Sequence, residues 1–132
     1  MKITLKVLAG ITRHARNTAP VECCGLLAGK DDLIDEYITT LNIRDSEVAY
    51  QVDPVEHIGA MKSLRVRGRS VLGAYHSHPR TAAEPSAADV AEANYGDGFL
   101  YLIVSLGSEP PEIRGYRLVG GRLEAADFEV VP

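Results

Sequence analysis

Residues 76–89 read HSHPRTAAEPSAAD and contain the most informative pattern in this sequence. An apolar segment from Ser70 to His76 leads into it and is typical of a buried strand. In extended backbone, side chains two residues apart point to the same side, so His76 and His78 can direct both imidazoles at one point near the strand end. The stretch therefore predicts a strand that carries two candidate metal ligands.

The second half of the stretch predicts how a third ligand reaches the histidines. Pro79 cannot donate a hydrogen bond to a sheet, which helps to release the chain into a loop. A short helix then begins near Ser86 and returns Asp89 toward the two imidazoles. Two imidazoles and one carboxylate suit zinc and leave a fourth position for water, as in catalytic zinc sites.

Both halves also have an interpretation without chemistry. A His-x-His pair is commonly a surface or core pair that binds no metal. Ser86-x-x-Asp89 matches a capping box, in which a serine begins a helix and an acid three residues later bonds back to it. The two interpretations are compatible, although one carboxylate cannot fully serve both tasks.

Glu22 lies at the start of an apolar run, residues 21–30 (VECCGLLAGK), that predicts a strand buried on both faces. Its carboxylate is either solvated at the mouth of the strand or a general base that takes a proton from water and passes it to a leaving amine. The Ser86 hydroxyl is likewise either a helix cap or a donor to a developing oxyanion. These two roles of Ser86 compete for one hydroxyl.

The rest of the chain alternates helical and extended patterns. Apolar residues at helical spacing predict a helix over residues 5–18, which ends before Pro20, and a second helix that opens at Pro54. Gly120-Gly121 predicts a hairpin turn. Strands are predicted at residues 21–30, 33–41, 48–52, 70–76, 99–106, 112–119 and 122–130. This order predicts an α/β fold.

Composition predicts one globular domain over residues 1–132. The chain has 45% hydrophobic and 24% charged residues, and it is long enough to bury a core without a disulfide or a structural metal. Its formal net charge of -4 argues against nucleic acid and anionic membrane as partners. The longest apolar run, residues 99–104, is too short to span a membrane, and no signal-peptide pattern is present, so we expect a cytoplasmic protein.

Other reactive or charged side chains receive structural interpretations. Cys23 and Cys24 are adjacent, which is poor geometry for a disulfide between them, and we expect both in the core. His14 and His57 lie off the apolar stripes of their helices and are predicted at the surface. A basic cluster consists of Lys62, Arg65, Arg67 and Arg69, with Arg80 as a further candidate member. It either complements the dipole of the second helix or docks an acidic partner.

Glu22, His76-Ser77-His78 and Ser86-x-x-Asp89 together resemble the signature of the JAMM (MPN+) zinc metallopeptidases. That signature is a glutamate, then His-Ser/Thr-His, seven residues, and Ser-x-x-Asp, and every element stands here at the family spacing. The resemblance extends to residues 20–29, to Asn42 and to residues 50–54. It covers most of residues 5–119.

The resemblance implies a role for each residue of the signature. His76, His78 and Asp89 would hold zinc, Glu22 would act as the acid and base, and Ser86 would stabilise the tetrahedral intermediate. The implied fold is a single three-layer α/β/α domain around a curved mixed β-sheet, similar to cytidine deaminases. A deaminase itself is excluded, because the chain lacks the downstream Pro-Cys-x-x-Cys and the His-x-Glu of those enzymes.

The resemblance also implies a substrate class. Family members cleave after the Gly-Gly tail of ubiquitin-like proteins, and this short chain is most similar to the compact bacterial members that act on small ubiquitin-like sulfur carrier proteins. Such an enzyme releases cysteine or a short extension from the carrier. Two alternatives remain open: the same chemistry on another ubiquitin-like conjugate or peptide, and a non-catalytic MPN-type binding scaffold.

Overall fold

A computed structural model describes residues 1–93 and 98–132 of the chain. The strands are β1 (Lys2–Thr4), β2 (Cys24–Lys30), β3 (Leu33–Thr40), β4 (Ser70–His78), β5 (Leu100–Ser105), β6 (Glu112–Val119), β7 (Arg122–Ala125) and β8 (Glu129–Val131). The helices are α1 (Leu5–Thr18), α2 (Pro54–Val66) and α3 (Ala87–Glu92). None of the helices in the described ranges is long and apolar enough to cross a membrane.

Local sequence sets the starts of the two longer helices. The Thr4 hydroxyl accepts a hydrogen bond from the Val7 N–H at the start of α1. At α2, the Asp53 carboxylate accepts from the Val55 N–H at 2.9 Å, and Pro54 occupies the first turn, where its missing N–H costs nothing. The predicted helix over residues 5–18 is confirmed with those bounds, and so is the start of the second helix at Pro54.

The strands form a mixed sheet in the order β7-β6-β5-β4-β2-β3-β1-β8. Strand β2 runs antiparallel to both β3 and β4, whereas β4 and β5 are parallel. A parallel pair needs a crossover connection, and here that connection carries α3. The crossover therefore starts and ends at the central strands of the sheet.

Side-chain alternation along the strands produces a core on each face of the sheet. Leu102 on β5 packs with Val7 and Ile11 of α1. Its neighbour Ile103 points to the opposite face, where Ala60 of α2 contributes to a second core. Helices thus cover both faces, and the predicted three-layer α/β fold with a mixed sheet is confirmed.

Three strand predictions need correction. Strand β1 was not predicted, because three residues are too few to show a period. The strand predicted at residues 48–52 is wrong: the structure describes an isolated bridge between Asn42 and Val52 there. The single strand predicted at residues 122–130 is two strands, of which β7 pairs with β6 and β8 pairs with β1 at the far edge of the sheet.

The surface prediction for His14 is also wrong. Its Nδ1 lies 2.8 Å from the hydroxyl oxygen of Tyr75, a buried β4 residue under α1, and burial lowers the pKa of His14. His57 is likewise partly buried, and burial lowers its pKa. The expectation for Cys23 and Cys24 is confirmed, since both are buried in the core.

Two arginines of the basic cluster have partners that neither sequence interpretation included. Arg67 and Arg69 reach across to β3 and form ion pairs with Glu36 at 3.0 and 3.1 Å. Arg69 also pairs with Asp35. These exposed or half-exposed pairs join the C-terminal end of α2 to the sheet and contribute little to stability individually.

Gly73 is placed where β4, the strand that carries the histidines, approaches β5. A methyl group there would clash with the backbone carbonyl oxygen of Leu100, which cannot move without breaking the parallel pairing. We expect Gly73→Ala to lower the free energy of unfolding by about 1–3 kcal/mol in urea denaturation. Gly59→Ala in α2 is the matched control: its methyl meets no described atom within 4 Å, and it should raise stability by up to about 1 kcal/mol. Equal stability of the two variants would contradict the prediction.

Candidate active site

The two histidines of the signature lie on the last residues of β4 and point to the same face of the sheet. Their Nε2 atoms are 3.3 Å apart. Asp89, on α3, places Oδ2 2.9 Å from Nε2 of His78 and Oδ1 3.2 Å from Nε2 of His76. The three side chains each offer one ligand atom within 4.8 Å of the others, so the predicted convergence is present.

Burial and the contacts among the three side chains together set the pKa values of this cluster. His76, His78 and Asp89 are between 1 and 4% exposed. Burial lowers the pKa of His76. It would also lower the pKa of His78, but the hydrogen bond with Asp89 raises that pKa overall. For Asp89, burial would raise the pKa, but the neighbouring imidazoles of both histidines hold it well below its ordinary value.

The cluster contains an anionic oxygen that a bound cation would stabilise. Oδ1 of Asp89 is buried and lacks a hydrogen-bond partner within the described residues, although it faces His76. A buried, unsatisfied carboxylate oxygen is costly. Two imidazole nitrogens and this oxygen form a donor set compatible with a bound divalent metal ion.

His78 is oriented from behind by the loop that follows β4. Its Nδ1 lies 2.8 Å from the Ala82 carbonyl oxygen, which leaves Nε2 directed at the cluster. The carbonyls on either side of Ala82 accept hydrogen bonds from the hydroxyls of Ser105 and Tyr116. Sequence reasoning missed both residues, because they lie on β5 and β6 and reach the loop only through the pairing of the sheet.

Asp89 and Ser86 form the capping box that the sequence predicts. The Ser86 hydroxyl oxygen accepts from the Asp89 N–H at 3.1 Å, and Oδ2 of Asp89 accepts from the Ser86 N–H at 2.9 Å. Oδ2 of Asp89 is therefore shared between the helix cap and His78, whereas Oδ1 faces the cluster alone. The cap uses the serine hydroxyl as an acceptor and not as a donor, so the expected competition between its two roles is relieved.

Glu22 is buried beside this cluster, immediately before β2. Only 3% of the residue is exposed, so the solvated alternative is wrong. Within the described chain, its Oε1 has no hydrogen-bond partner. Burial raises the pKa of Glu22 to about 8, although His78 partly offsets this effect. A buried acid with a perturbed pKa is characteristic of functional sites.

Ser77, the residue between the histidines, connects Glu22 to them. Its hydroxyl oxygen accepts from the Cys23 N–H at 2.8 Å, and its own N–H donates to the Cys23 carbonyl at 3.0 Å. Ser77 is fully buried. The sequence placed Ser77 within the signature but did not indicate this tie to the backbone beside Glu22.

The raised pKa of Glu22 predicts a pH-dependent cost to the metal-free protein. Between the ordinary value of 4.5 and about 8, the unfolded chain releases the proton while the folded protein keeps it, so the free energy of unfolding falls as pH rises. We expect metal-free Glu22→Gln to be more stable than wild type at pH 8, by about 4 kcal/mol. The difference should vanish near pH 4.5. Chemical denaturation at both pH values measures it, and a difference independent of pH would contradict the prediction.

Comparison with known proteins finds a matching family and similar proteins, among them a peptidase and a desampylase. Residues 4–119 match the family described as prokaryotic homologs of the JAB domain. The CysO-cysteine peptidase of Mycobacterium tuberculosis is 30% identical over 131 residues, which cover 98% of this chain and 90% of that protein. The desampylase of Haloferax volcanii is 36% identical over 102 residues, 72% of this chain and 73% of that protein.

One solved structure shares this fold. It is described as "JAMM: A Metalloprotease-like Zinc Site in the Proteasome and Signalosome" and superimposes with a TM-score of 0.66. The two sequences are 25% identical, and the match covers 100% of this chain and 98% of the other.

Proposed function

Since this chain belongs to the prokaryotic JAB-domain family, we propose that it is a zinc-dependent peptidase acting on a small ubiquitin-like sulfur carrier protein. The bond hydrolysed is the one that follows the C-terminal Gly-Gly of the carrier, with release of cysteine or a short extension. The observation that carries this proposal is the buried convergence of His76, His78 and Asp89 next to the buried acid Glu22.

The metal would be held by Nε2 of both histidines and by Asp89. When bound, zinc supplies Lewis acidity for peptide hydrolysis. The loop carbonyl of Ala82 fixes the tautomer of His78, and the capping box fixes the backbone at Asp89. These supports fix the ligand side chains in the arrangement that a bound metal ion would need.

Glu22 would carry the proton of the reaction. Its carboxylate accepts a proton from the attacking water and delivers it to the amine that leaves. Burial keeps bulk water from competing for that proton, and the pKa of Glu22 would fall beside a bound divalent cation, so that the carboxylate could act as a base near neutral pH. The Ser86 hydroxyl, whose proton the helix cap does not use, would donate to the oxyanion of the tetrahedral intermediate.

The relatives support the choice of substrate class. The mycobacterial relative is named a CysO-cysteine peptidase, and this chain spans most of its length, so the proposed substrate is a carrier protein that bears cysteine. An extended Gly-Gly tail has no side chains and can run beside a strand into a narrow site. We propose neither nucleic acid nor a membrane as a partner, and we propose that the protein binds the carrier in the cytoplasm.

A cleavage experiment tests the proposal. A bacterial sulfur carrier extended by cysteine after its Gly-Gly tail is incubated with the zinc-loaded protein, and the products are weighed by mass spectrometry. We expect release of cysteine by wild type and none by Glu22→Gln or by protein treated with a chelator. Intact carrier in the presence of stoichiometrically bound zinc would reject this substrate class. In that case the same assay is repeated with other ubiquitin-like conjugates.

A further inference from the structure

The segment at residues 42–52, which connects β3 to α2, is held together by the side chain of Asn42. The side-chain amide of Asn42 makes four hydrogen bonds, which is its full capacity. Its Nδ2 donates to the carbonyls of Glu22 and Ala49, each at 3.0 Å. Its Oδ1 accepts from the N–H groups of Arg44 and Gln51, also at 3.0 Å. One side chain thus takes the place of the strand pairing predicted for this segment.

Both backbone polar groups of Glu22 bond to this segment. The Glu22 N–H donates to the Ser46 carbonyl at 2.9 Å, and the Glu22 carbonyl accepts from Asn42. Together with the bonds between Cys23 and Ser77, these contacts fix the main chain on each side of the buried carboxylate. The direction of the Glu22 side chain therefore depends on Asn42.

The other end of the segment contacts a candidate metal ligand. The ring of Tyr50 stacks on the imidazole of His76, with ring centroids 4.2 Å apart and planes inclined by 16°. Tyr50 is 3% exposed and His76 is 2% exposed, so water does not separate the rings. A parallel ring against its face restricts rotation of the imidazole and so fixes the direction of Nε2.

Asn42 and Tyr50 belong to the same hydrogen-bonded unit. The residues on either side of Tyr50, Ala49 and Gln51, each bond to the Asn42 amide. We propose that residues 42–52 are a positioning element, in which Asn42 holds the backbone of Glu22 and Tyr50 holds the ring of His76. This inference rests on the proposed function, because it assigns His76 to the metal and Glu22 to proton transfer.

Each half of the element predicts a different loss. Supports behind a ligand typically change metal affinity 10–100-fold, so we expect Tyr50→Leu to weaken metal binding by about that factor. A small displacement of a catalytic group can cost about 100-fold in rate, so we expect Asn42→Asp to lower kcat by about that amount and to leave KM within about threefold. Asn42→Asp keeps the acceptor oxygen for Gln51 and loses the two donors.

Cobalt(II) alone tests the Tyr50 half without any substrate. Binding is followed by the visible spectrum of the metal, and its release to a chelator is timed for wild type, Tyr50→Leu and Tyr50→Phe. We expect Tyr50→Leu to show an altered spectrum and release about 10–100 times faster, and Tyr50→Phe, which keeps the stacked ring, to lose less. Tyr37→Leu, which removes a tyrosine ring packed on Tyr75 away from the cluster, is the matched control.

The outcomes separate a positioning role from a general effect on folding. Thermal unfolding of each metal-free variant shows whether it is folded, and Tyr50→Met replaces Tyr50→Leu if the leucine variant is not. A wild-type spectrum and release rate in the folded variant that lacks the ring would overturn the role of Tyr50. Equal losses in Tyr50→Phe and Tyr50→Leu would also overturn it, because the ring would then not be the cause.

The Asn42 half is tested by steady-state cleavage of the carrier substrate. Asn42→Asp and Asn42→Ser should lose kcat, and their cobalt release should change less than that of Tyr50→Leu, because the Tyr50 ring itself is kept. Unchanged kcat in both variants would overturn the role of Asn42. If wild type itself fails to bind cobalt or to cleave any carrier, the proposed function fails, whereas a functional wild type with unaffected variants rejects only the positioning element.

Discussion

Glu22→Gln is expected to lower kcat by about 100- to 10,000-fold while the metal stays bound. The amide has nearly the shape of the carboxylate but cannot take up a proton from water. Among the described residues, Glu22 lies outside the cluster of three potential ligands, so its replacement should leave metal stoichiometry at that of wild type. Cleavage kinetics and metal analysis on the same preparation measure both quantities.

Glu84→Gln is the matched control for this change. Glu84 is an exposed carboxylate two residues before Ser86, on the same loop, and it should lose no more than about twofold in kcat. Near-normal turnover in Glu22→Gln would reject Glu22 as the base. Loss of metal from that variant would instead place Glu22 among the ligands.

Asp89→Asn should release the metal and keep the helix. An amide oxygen can still accept from the Ser86 N–H and maintain the start of α3, but it lacks the charge that a divalent cation requires. We expect metal affinity to fall by more than about 100-fold, beyond the range for supporting residues. Chelator competition measures the affinity, and Asp89→Ala should show the same loss together with a weaker helix start.

Asp53→Asn provides a control with the same capping role. Asp53 caps α2 through the Val55 N–H and is not part of the ligand cluster found within the described ranges. Its variant should retain wild-type metal affinity. Full metal stoichiometry in Asp89→Asn and Asp89→Ala would exclude Asp89 as a ligand.

The ligand cluster could be predicted from the sequence because its geometry is local. His76 and His78 share a face through strand alternation, and Ser86 with Asp89 form a helix start that spans one turn. Both rules depend only on residues close in the chain. The remaining step, that the loop after Pro79 returns Asp89 to the histidines, is a prediction from the same stretch of sequence that the resemblance to a family supports with the same ligand set.

The supports of the site could not be predicted in this way. Tyr50 meets His76, and Tyr116 meets the loop after β4, only because the sheet brings distant segments together. The error at residues 48–52 has the same origin. Their alternating apolar residues satisfy a strand pattern, but the Asn42 amide takes the backbone hydrogen bond that a neighbouring strand would need. At residues 48–52, tertiary contacts therefore override the strand propensity of the sequence.

The fold errors at the far edge of the sheet have a similar cause. Strand β8 leaves the β6–β7 hairpin and joins β1, and the Glu129 N–H bonds to the Met1 carbonyl. The preceding Ala126 N–H still bonds to Gly115 on β6. The alternation of apolar residues in residues 122–130 shifts phase at Ala125-Ala126, where β7 ends, and the prediction of one continuous strand overlooks that shift.

The connection between β4 and α3 also keeps the ligand cluster local in the chain. His78 and Asp89 are 11 residues apart in the chain, whereas 54 residues separate Cys23, next to Glu22, from Ser77. Closing the longer loop costs roughly 1.4 kcal/mol more chain entropy. The pairing of β2 with β4, which brings Glu22 to the site, therefore carries a larger entropic cost than the approach of the ligands to one another.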